Sequence, residues 1–199
     1  MRKFTRLVEP DILKFNSSRW TNQWVALKQS NPSATFSWYV HEGRTVREHI
    51  LPMLSEQTNR HCSFCDAFPV EGVSMETVEH FRPKIRFPDL SYSWGNLYYC
   101  CNACQNSKLE RWDDALLCPD HTEYERVKYF EFDFTTGEIK PNALASADDQ
   151  QRADLTIDHY GLNSTARQRN RQLISRRWSR RAESIEEPNE WPYRDYLGL

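Results

Sequence analysis

Two pairs of cysteines are the residues in this sequence whose types and spacing most clearly indicate chemistry. Cys62 and Cys65 lie in the stretch HCSFCD, and Cys101 and Cys104 follow in CNAC after 35 intervening residues. A Cys-x2-Cys turn presents two thiolates at a spacing that suits a tetrahedral ion, and four thiolates complete a closed structural site. The pattern therefore predicts a structural Zn²⁺ centre that takes no part in catalysis.

Other side chains compete with these four as ligands. Cys100 directly precedes Cys101, and either His61 or His121 is able to replace a thiolate. The Cys-x2-Cys spacing favours Cys101 over Cys100. Cys118 stands alone in the sequence, and we expect it in the hydrophobic core rather than at the metal.

Composition limits the class of protein. The chain has 199 residues, 39% of them hydrophobic, and a net charge of −2, which fits one domain or one domain with an appendage. No apolar run approaches the ~20 residues that cross a bilayer, and the N-terminal MRKFTRLVEPD lacks a signal-peptide core. We therefore expect a cytoplasmic protein, where paired cysteines hold metal more often than they form disulfides.

The segment between the cysteine pairs reads TVEHFRPK over residues 77–84 and then YSWGNLYYCCNACQNSK over residues 92–108. With the two Cys-x2-Cys units, these stretches resemble the HNH endonuclease family, and more narrowly its PtuB-like subfamily. That subfamily belongs to Septu antiphage systems and also serves as a retron effector. The resemblance is specific over about residues 60–120, and looser in YFEFDFTTGEIKP and LTIDHYGLNSTARQRNR.

The resemblance implies roles for individual residues. His80 is the general base, a role that suits a side chain titrating near neutrality. Glu79 offers a hard oxygen ligand to a catalytic Mg²⁺ or Mn²⁺, and Asn96 holds the loop that keeps the histidine aimed. The family's last ligand directly follows the final cysteine; that position is Gln105 here, with Asn106 one residue later. Both are candidates, and we favour Asn106 because its short amide is the more usual ligand.

Basic residues near the same segment are candidates for nucleic-acid contact, because Lys and Arg bind phosphates without reading sequence. The candidates are Arg82, Lys84, Arg86, Lys108 and Arg111. For the first three, the alternative explanation is a solvated loop surface. The last two lie on the helix predicted after the second cysteine pair.

A second basic stretch, residues 166–182, contains seven arginines and no acid. It predicts a helix whose arginines face solvent and whose apolar residues form a buried stripe. The predicted stripe consists of Leu173, Ile174, Trp178 and Ile185. Nucleic acid, an acidic partner and water are the alternative neighbours of the arginines.

The predicted architecture is α+β and mainly helical. Residues 1–60 form a helical N-terminal segment, and residues 61–120 form the ββα-metal unit that contains the four-cysteine zinc site. Residues 121–199 begin with a β-hairpin at VKYFEFDFTTGEIKP and continue as helices. We expect the three parts to make one compact domain.

Two functions are compatible with this pattern. A zinc-stabilised module that binds nucleic acid or protein has no use for an acid–histidine pair between its cysteines. Glu79, His80 and Asn96 therefore favour a metal-dependent endonuclease, whose substrate is either DNA or RNA such as tRNA.

The resemblance also implies partners: a PtuA-like ABC-type ATPase and, in retrons, a reverse transcriptase with its DNA product. We expect the ATPase to dock on the arginine-rich helix or on the C-terminal tail EWPYRDYLGL, because interfaces favour Trp, Tyr and Arg. Most of the other tryptophans are expected to build the core.

Overall fold

The computed structural model describes residues 1–180 and 187–199, and these ranges contain eight α-helices and six short strands. The helices are α1 Asp11–Ser30, α2 Val46–Glu56, α3 Val70–Val73, α4 Asn102–Lys108, α5 Arg126–Tyr129, α6 Ala147–His159, α7 Thr165–Trp178 and α8 Arg194–Leu197. The strands are β1 Val40–His41, β2 Arg44–Thr45, β3 Glu76–His80, β4 Leu97–Cys101, β5 Phe130–Asp133 and β6 Glu138–Pro141. They pair as three two-stranded antiparallel sheets, so the fold is α+β as predicted.

The hairpin of β3 and β4 lies at the centre of the chain and positions both candidate sites. Its register pairs Glu76 with Cys101 at one end and His80 with Leu97 at the other. All of β4 and most of β3 are buried, which agrees with their aromatic and β-branched residues. Helix α4 begins directly after β4, so the second cysteine pair spans the junction of strand and helix.

The aromatic core is built around this hairpin. Phe64, from the first cysteine turn, stacks on Tyr160 at the end of α6 with ring centroids 4.0 Å apart. The same ring lies 5.5 Å from Tyr98 of β4. Residues from the first cysteine turn, from β4 and from the end of α6 therefore pack together in one aromatic cluster.

Helix α1 covers the long β3–β4 connection, and α2 packs on the strands of the hairpin. Trp20 and Trp24, four residues apart on α1, are buried on one face, and the Trp24 indole N–H donates to the Lys84 carbonyl at 3.3 Å. Helix α2 begins with a capping box between Thr45 and Glu48, and Pro52 lies inside this helix. None of the described helices is long and apolar enough to cross a membrane.

The prediction of an apolar buried stripe on α7 is correct only in part. Ile174 is half-buried against the hydrophobic core, and Trp178 packs on Trp191 with ring centroids 5.1 Å apart. The fully buried side chains of the helix are instead Arg167 and Arg171, and Leu173 is 57% exposed. The inward face of the helix meets carbonyl oxygens and cysteine sulfurs, which need donors rather than apolar groups. Ile185, the last residue of the predicted stripe, and Arg181 lie outside the described residues.

Arg171 shows why α7 needs cations on its inner face. Its Nε donates to the Gly137 carbonyl at 2.5 Å, and its Nη2 donates to the Leu162 carbonyl at 2.9 Å. Gly137 has φ +74°, and a Cβ there would lie 2.3 Å from the Gln168 carbonyl oxygen. Only glycine lets the β5–β6 turn approach α7 this closely.

The C-terminal tail belongs to the core instead of presenting a docking surface. Trp191, Tyr193 and Tyr196 are buried, and the Arg194 guanidinium forms a buried ion pair with Asp66 at 2.6 Å. The expectation that this tail docks a partner is therefore not supported, because its aromatic side chains are already used inside the fold.

Candidate functional site

The four predicted cysteines converge on one buried point. The sulfur atoms of Cys62, Cys65, Cys101 and Cys104 all lie within 4.8 Å of one another, and those of Cys65 and Cys101 are 3.6 Å apart. The Cys101 backbone N–H donates to Cys62 Sγ at 3.4 Å. Four thiolates in this arrangement fit a tetrahedral Zn²⁺, so the predicted ligand set is confirmed as a group able to hold a metal.

The competing ligands lie outside the group of four. Cys100 is a near neighbour, since its thiol contacts those of Cys62, Cys101 and Cys104, but its Sγ donates to the Cys101 carbonyl at 3.3 Å and is not one of the four sulfurs that converge. Both ring nitrogens of His61 face backbone carbonyls, those of Asn59 and Trp191. Cys118 contacts the Tyr98 hydroxyl at 3.0 Å, away from the cluster.

A second site lies where β3 ends beside the C-terminal half of α4. It is a cavity of about 250 Å³, and the residues that carry its chemistry are Glu79, His80, Lys84, Gln105, Asn106 and Glu110. The hairpin and the following helix thus bring together the acid–histidine pair and both amide candidates.

The protonation of His80 follows from its neighbours. Its Nε2 lies 2.9 Å from the Ser91 carbonyl oxygen; since a carbonyl only accepts, Nε2 carries the hydrogen. Burial, reinforced by the Lys84 charge, lowers the pKa of His80 to about 3, so the ring is neutral near pH 7. Nδ1 is therefore the nitrogen with a free lone pair.

Aromatic rings fix the orientation of the His80 side chain, which is 5% exposed. The Trp38 indole stacks on it with ring centroids 5.3 Å apart and planes at 20°. Phe36 contacts it edge-on at 5.3 Å. Both rings come from the segment between α1 and β1, and no local pattern predicted that this segment would lie beside His80.

Glu79 has an internal counter-ion. The Lys108 ammonium donates to Glu79 Oε1 at 2.8 Å and to the His80 carbonyl at 3.1 Å. Burial raises the pKa of Glu79 to about 7, although the Lys108 charge opposes this shift. Oε2 has no hydrogen-bond partner within the described ranges and remains available to a ligand.

Lys108 is 0% exposed, so its position does not support the expected contact with phosphate. Arg111 is also engaged elsewhere: it pairs with Asp158 at 2.7 Å and donates to backbone carbonyls of α4 and α6. Both cations join elements of the fold. The buried Glu79 carboxylate needs the charged donor that Lys108 supplies, whereas the contacts of Arg111 are mostly exposed.

The three basic residues of the connecting loop differ in position. Lys84 lines the cavity. Arg82 is exposed and lies over the Trp112 ring at 5.3 Å, while Arg86 donates to the Trp112 carbonyl at 3.2 Å. Lys84 is therefore the one of the three that faces the acid–histidine pair.

Asn96 ties the β3–β4 connection into a closed loop. Its Oδ1 accepts the Arg82 N–H at 2.7 Å, and its Nδ2 donates to the carbonyls of Arg82 and Leu90 at 3.0 and 3.1 Å. Ser91, whose carbonyl holds His80, lies within this loop. Asn96 thus supports the histidine through the backbone.

The two amide candidates are held differently. Gln105 is half-buried and its Nε2 donates to the Val78 carbonyl at 3.0 Å, which leaves its Oε1 free. Asn106 is exposed at the cavity. Glu110, which the sequence reasoning missed, adds a carboxylate, with Lys84 Nζ 4.0 Å away.

The four cysteines are the single group of three or more His, Cys, Asp or Glu ligand atoms that converges within the described residues. The set around Glu79 contains carboxylate and amide oxygens, the donors that Mg²⁺ and Mn²⁺ prefer. The chemistry of these donors is compatible with an ion of that kind.

Part of the chain is similar to the Septu protein PtuB of Bacillus thuringiensis. The two are 32% identical over 72 residues, which make up 35% of this chain and 28% of that protein. The chain therefore matches less than a third of the length of this relative. No protein-family profile matches the chain.

Proposed function

We propose that the chain is a metal-dependent endonuclease of the HNH type that hydrolyses phosphodiester bonds in nucleic acid. One observation carries the proposal: a neutral His80, held through Nε2 by Ser91, shares a cavity with Glu79 and the amides that follow the second cysteine pair. Such hydrolysis needs a base and an oxygen ligand for a metal ion, in a site that is open to solvent.

In this proposal β3, β4 and α4 form the ββα-metal unit, within residues 61–120, and the cysteine centre holds a structural Zn²⁺ at its base. The two ends of the hairpin have separate tasks, because Cys101 lies at the end opposite His80. Residues 1–60 and 121–199 surround the unit and supply Trp38 and Arg167 to the two sites.

The cavity residues would act on a bound phosphodiester in the following way. His80 Nδ1 takes a proton from the attacking water, and Ser91 and Trp38 keep the ring aimed. The negative charge of the substrate favours the imidazolium and raises the pKa of His80. Lys84 lies close enough to the cavity to contact the phosphate.

Glu79 Oε2, the side-chain oxygen of Gln105 or Asn106, and Glu110 would hold the catalytic Mg²⁺ or Mn²⁺. When bound, this ion stabilises negative charge on the phosphate and the leaving oxygen. Lys108 keeps Oε1 of Glu79 fixed, so the carboxylate presents its other oxygen in one orientation.

One observation favours the second candidate, a zinc-stabilised binding module without cleavage. Glu79 is already neutralised by Lys108, and His80 is almost fully buried, so both are also satisfied as structural groups. The cavity beside them is the feature that a binding module does not require.

We further propose that the nuclease is the effector of an antiphage system, on the likeness to the Septu protein PtuB. Its partners would be a PtuA-like ABC-type ATPase and, in a retron, a reverse transcriptase with its DNA. Because the tail is buried, the exposed arginines of α7 are the better candidates for docking. They are Arg169, Arg176 and Arg177, followed by Arg180 just beyond the helix.

The test is cleavage of plasmid DNA and of purified tRNA by the full chain, alone and with the ATPase encoded beside it. We expect cleavage with Mg²⁺ or Mn²⁺ that stops with EDTA and is abolished in His80→Ala. His121→Ala, which removes an exposed histidine elsewhere, is the matched control. Cleavage by folded His80→Ala at the wild-type rate would exclude His80 as the base, and absence of cleavage under every condition would favour the binding module.

A further inference from the structure

Arg167 is buried against the cysteine centre. Its Nη2 donates to Cys104 Sγ at 3.1 Å and lies 3.7 Å from Cys101 Sγ. Its Nη1 donates to the carbonyls of Tyr160 and Gly161, at 2.5 and 3.0 Å. The guanidinium therefore joins two sulfur atoms to the corner between α6 and α7.

Charge explains why an arginine stands here. Four thiolates around one Zn²⁺ leave an excess of negative charge on the sulfurs, and all four cysteines are buried. Buried charge is costly unless it is paired and hydrogen-bonded. A guanidinium with one edge on the sulfurs and the other on carbonyls meets both needs, because it carries a fixed charge and several donors.

The corner that Arg167 holds also packs on the helix of the second cysteine pair. Gly161 has φ +57°, and a Cβ there would lie 2.6 Å from Ser107 Oγ of α4. Glycine thus allows the corner to approach α4, three residues beyond Cys104. Arg167 and Gly161 together fix the start of α7 against the metal centre.

We propose that Arg167 is a positioning residue of the zinc centre, which orients the Cys104 and Cys101 sulfurs through its hydrogen bonds and couples the metal to α7. Hydrogen bonds from an outer residue fix the ligands in place and withdraw electron density from sulfur, so the centre releases the ion more slowly while they are present. This inference rests on the zinc centre proposed above and is independent of nuclease activity.

The same helix supplies two matched controls. Arg171 is equally buried one turn later, but its donors go to the carbonyls of Gly137 and Leu162 and to Asn163, not to sulfur. Arg169 lies on the exposed side of the helix. Arg171→Met therefore shows the effect of removing a buried arginine that does not contact sulfur. Arg169→Met shows the effect of removing one positive charge from the exposed side of α7.

The first measurement is the rate at which the full chain gives up zinc to an excess of chelator, followed with a coloured zinc indicator. Arg167→Met should release zinc about 10- to 100-fold faster than wild type. Arg167→Lys, which keeps the charge but has fewer donors, should fall between the two. Arg169→Met should match wild type, and Arg171→Met should be faster only in proportion to its loss of thermal stability.

The second measurement is the absorption spectrum after Co²⁺ has replaced zinc. Removal of a donor makes the sulfur easier to oxidise, so the thiolate-to-cobalt charge-transfer band of Arg167→Met should move to longer wavelength. General destabilisation does not move this band, and Arg171→Met should leave it unchanged. If Arg167→Met fails to fold, the same comparison is made on Arg167→Lys, where a smaller shift of the same sign is expected.

An unchanged band together with zinc release no faster than in Arg171→Met would overturn the proposal. Both measurements are made without nucleic acid, so failure of the nuclease proposal changes neither result. Absence of zinc from well-folded wild-type protein would overturn the inference and the zinc centre together, whatever the cleavage assay shows.

Discussion

The imidazole of His80 lies nearly parallel to the indole of Trp38, with ring centroids 5.3 Å apart and planes at 20°. Trp38 comes from the segment between α1 and β1, 42 residues before the histidine in the sequence. The N-terminal part of the chain therefore packs against His80 and helps to fix the orientation of its ring.

The first prediction follows from that stacking. Trp38→Ala should lower kcat by about 10-fold, because a loosely held base spends less time in the reactive geometry, while KM changes little. Trp38→Phe, which keeps a flat ring, should recover most of the rate. The comparison is steady-state cleavage kinetics, with Val40→Ala at an exposed position as the control. An equal fall of the rate in Trp38→Ala and Val40→Ala would remove Trp38 from the site.

The second prediction concerns the buried pair of Glu79 and Lys108. Lys108→Met leaves a buried carboxylate without its counter-ion and should lower the free energy of unfolding by about 3–5 kcal/mol. Adding Glu79→Gln to Lys108→Met should restore much of this loss, since the uncompensated charge is then removed. Urea unfolding in EDTA measures both variants. Lys128→Met, which removes an exposed lysine from its pair with Asp149, should cost less than Lys108→Met.

The third prediction distinguishes the cysteines. Cys62→Ser or Cys104→Ser should reduce zinc well below one ion per chain and lower the melting temperature, because a structural metal is coupled to folding. Cys118→Ser should keep the zinc, as its sulfur contacts Tyr98 and Asp120 instead. Elemental analysis and thermal unfolding test both statements. Loss of zinc from Cys118→Ser, or full zinc in Cys62→Ser, would contradict the ligand set.

The fourth prediction decides between the two amides. Asn106→Ala should raise the Mg²⁺ concentration needed for half-maximal cleavage by about 10-fold, and Gln105→Ala should raise it less, since part of the Gln105 amide is engaged by Val78. Glu110→Gln should also raise it. Asn102→Ala, at the start of α4 and away from the cavity, is the control. The reverse order of the two effects would assign the ligand to Gln105.

The fifth prediction is the pH dependence of a buried network. Burial alone would raise the pKa of Asp120, but Arg6 and hydrogen bonds from Cys118 and Tyr98 outweigh it, and the pKa is lowered from 3.8. The ionised carboxylate therefore stabilises the fold at pH values above 3.8, the ordinary pKa of the group. This contribution is lost as the pH falls through the lowered pKa of the folded state. Asp120→Asn should cost about 1.5–3 kcal/mol at pH 7.

The difference between wild type and Asp120→Asn should shrink only below about pH 4. Urea unfolding of both proteins at each pH tests this, because any effect of acid on the cysteine centre is common to the two. A difference that is constant down to pH 2.5 would show that the pKa of Asp120 is the same in the folded and unfolded states, and a difference that grows as the pH falls would show that the fold raises this pKa.

The cysteine centre and the β5–β6 hairpin were predictable because each rests on short local sequence patterns. Each Cys-x2-Cys turn presents two thiolates to one ion, and β5 and β6 flank a Thr-Gly turn in a sequence of alternating apolar and polar residues. The order of His80, Asn96 and the second cysteine pair along the chain likewise indicated candidate residues of the second site.

Tertiary structure alone decided where the cations and the aromatic rings lie. An argument from hydrophobic periodicity predicts that apolar residues are buried and arginines exposed. On α7, however, Arg167 points toward the sulfur atom of Cys104, 63 residues earlier in the chain. Lys108 is buried because the carboxylate of Glu79, on the facing strand, is buried too. A long charged side chain takes its place from the opposite charge it meets in the folded chain, and no local pattern contains that partner.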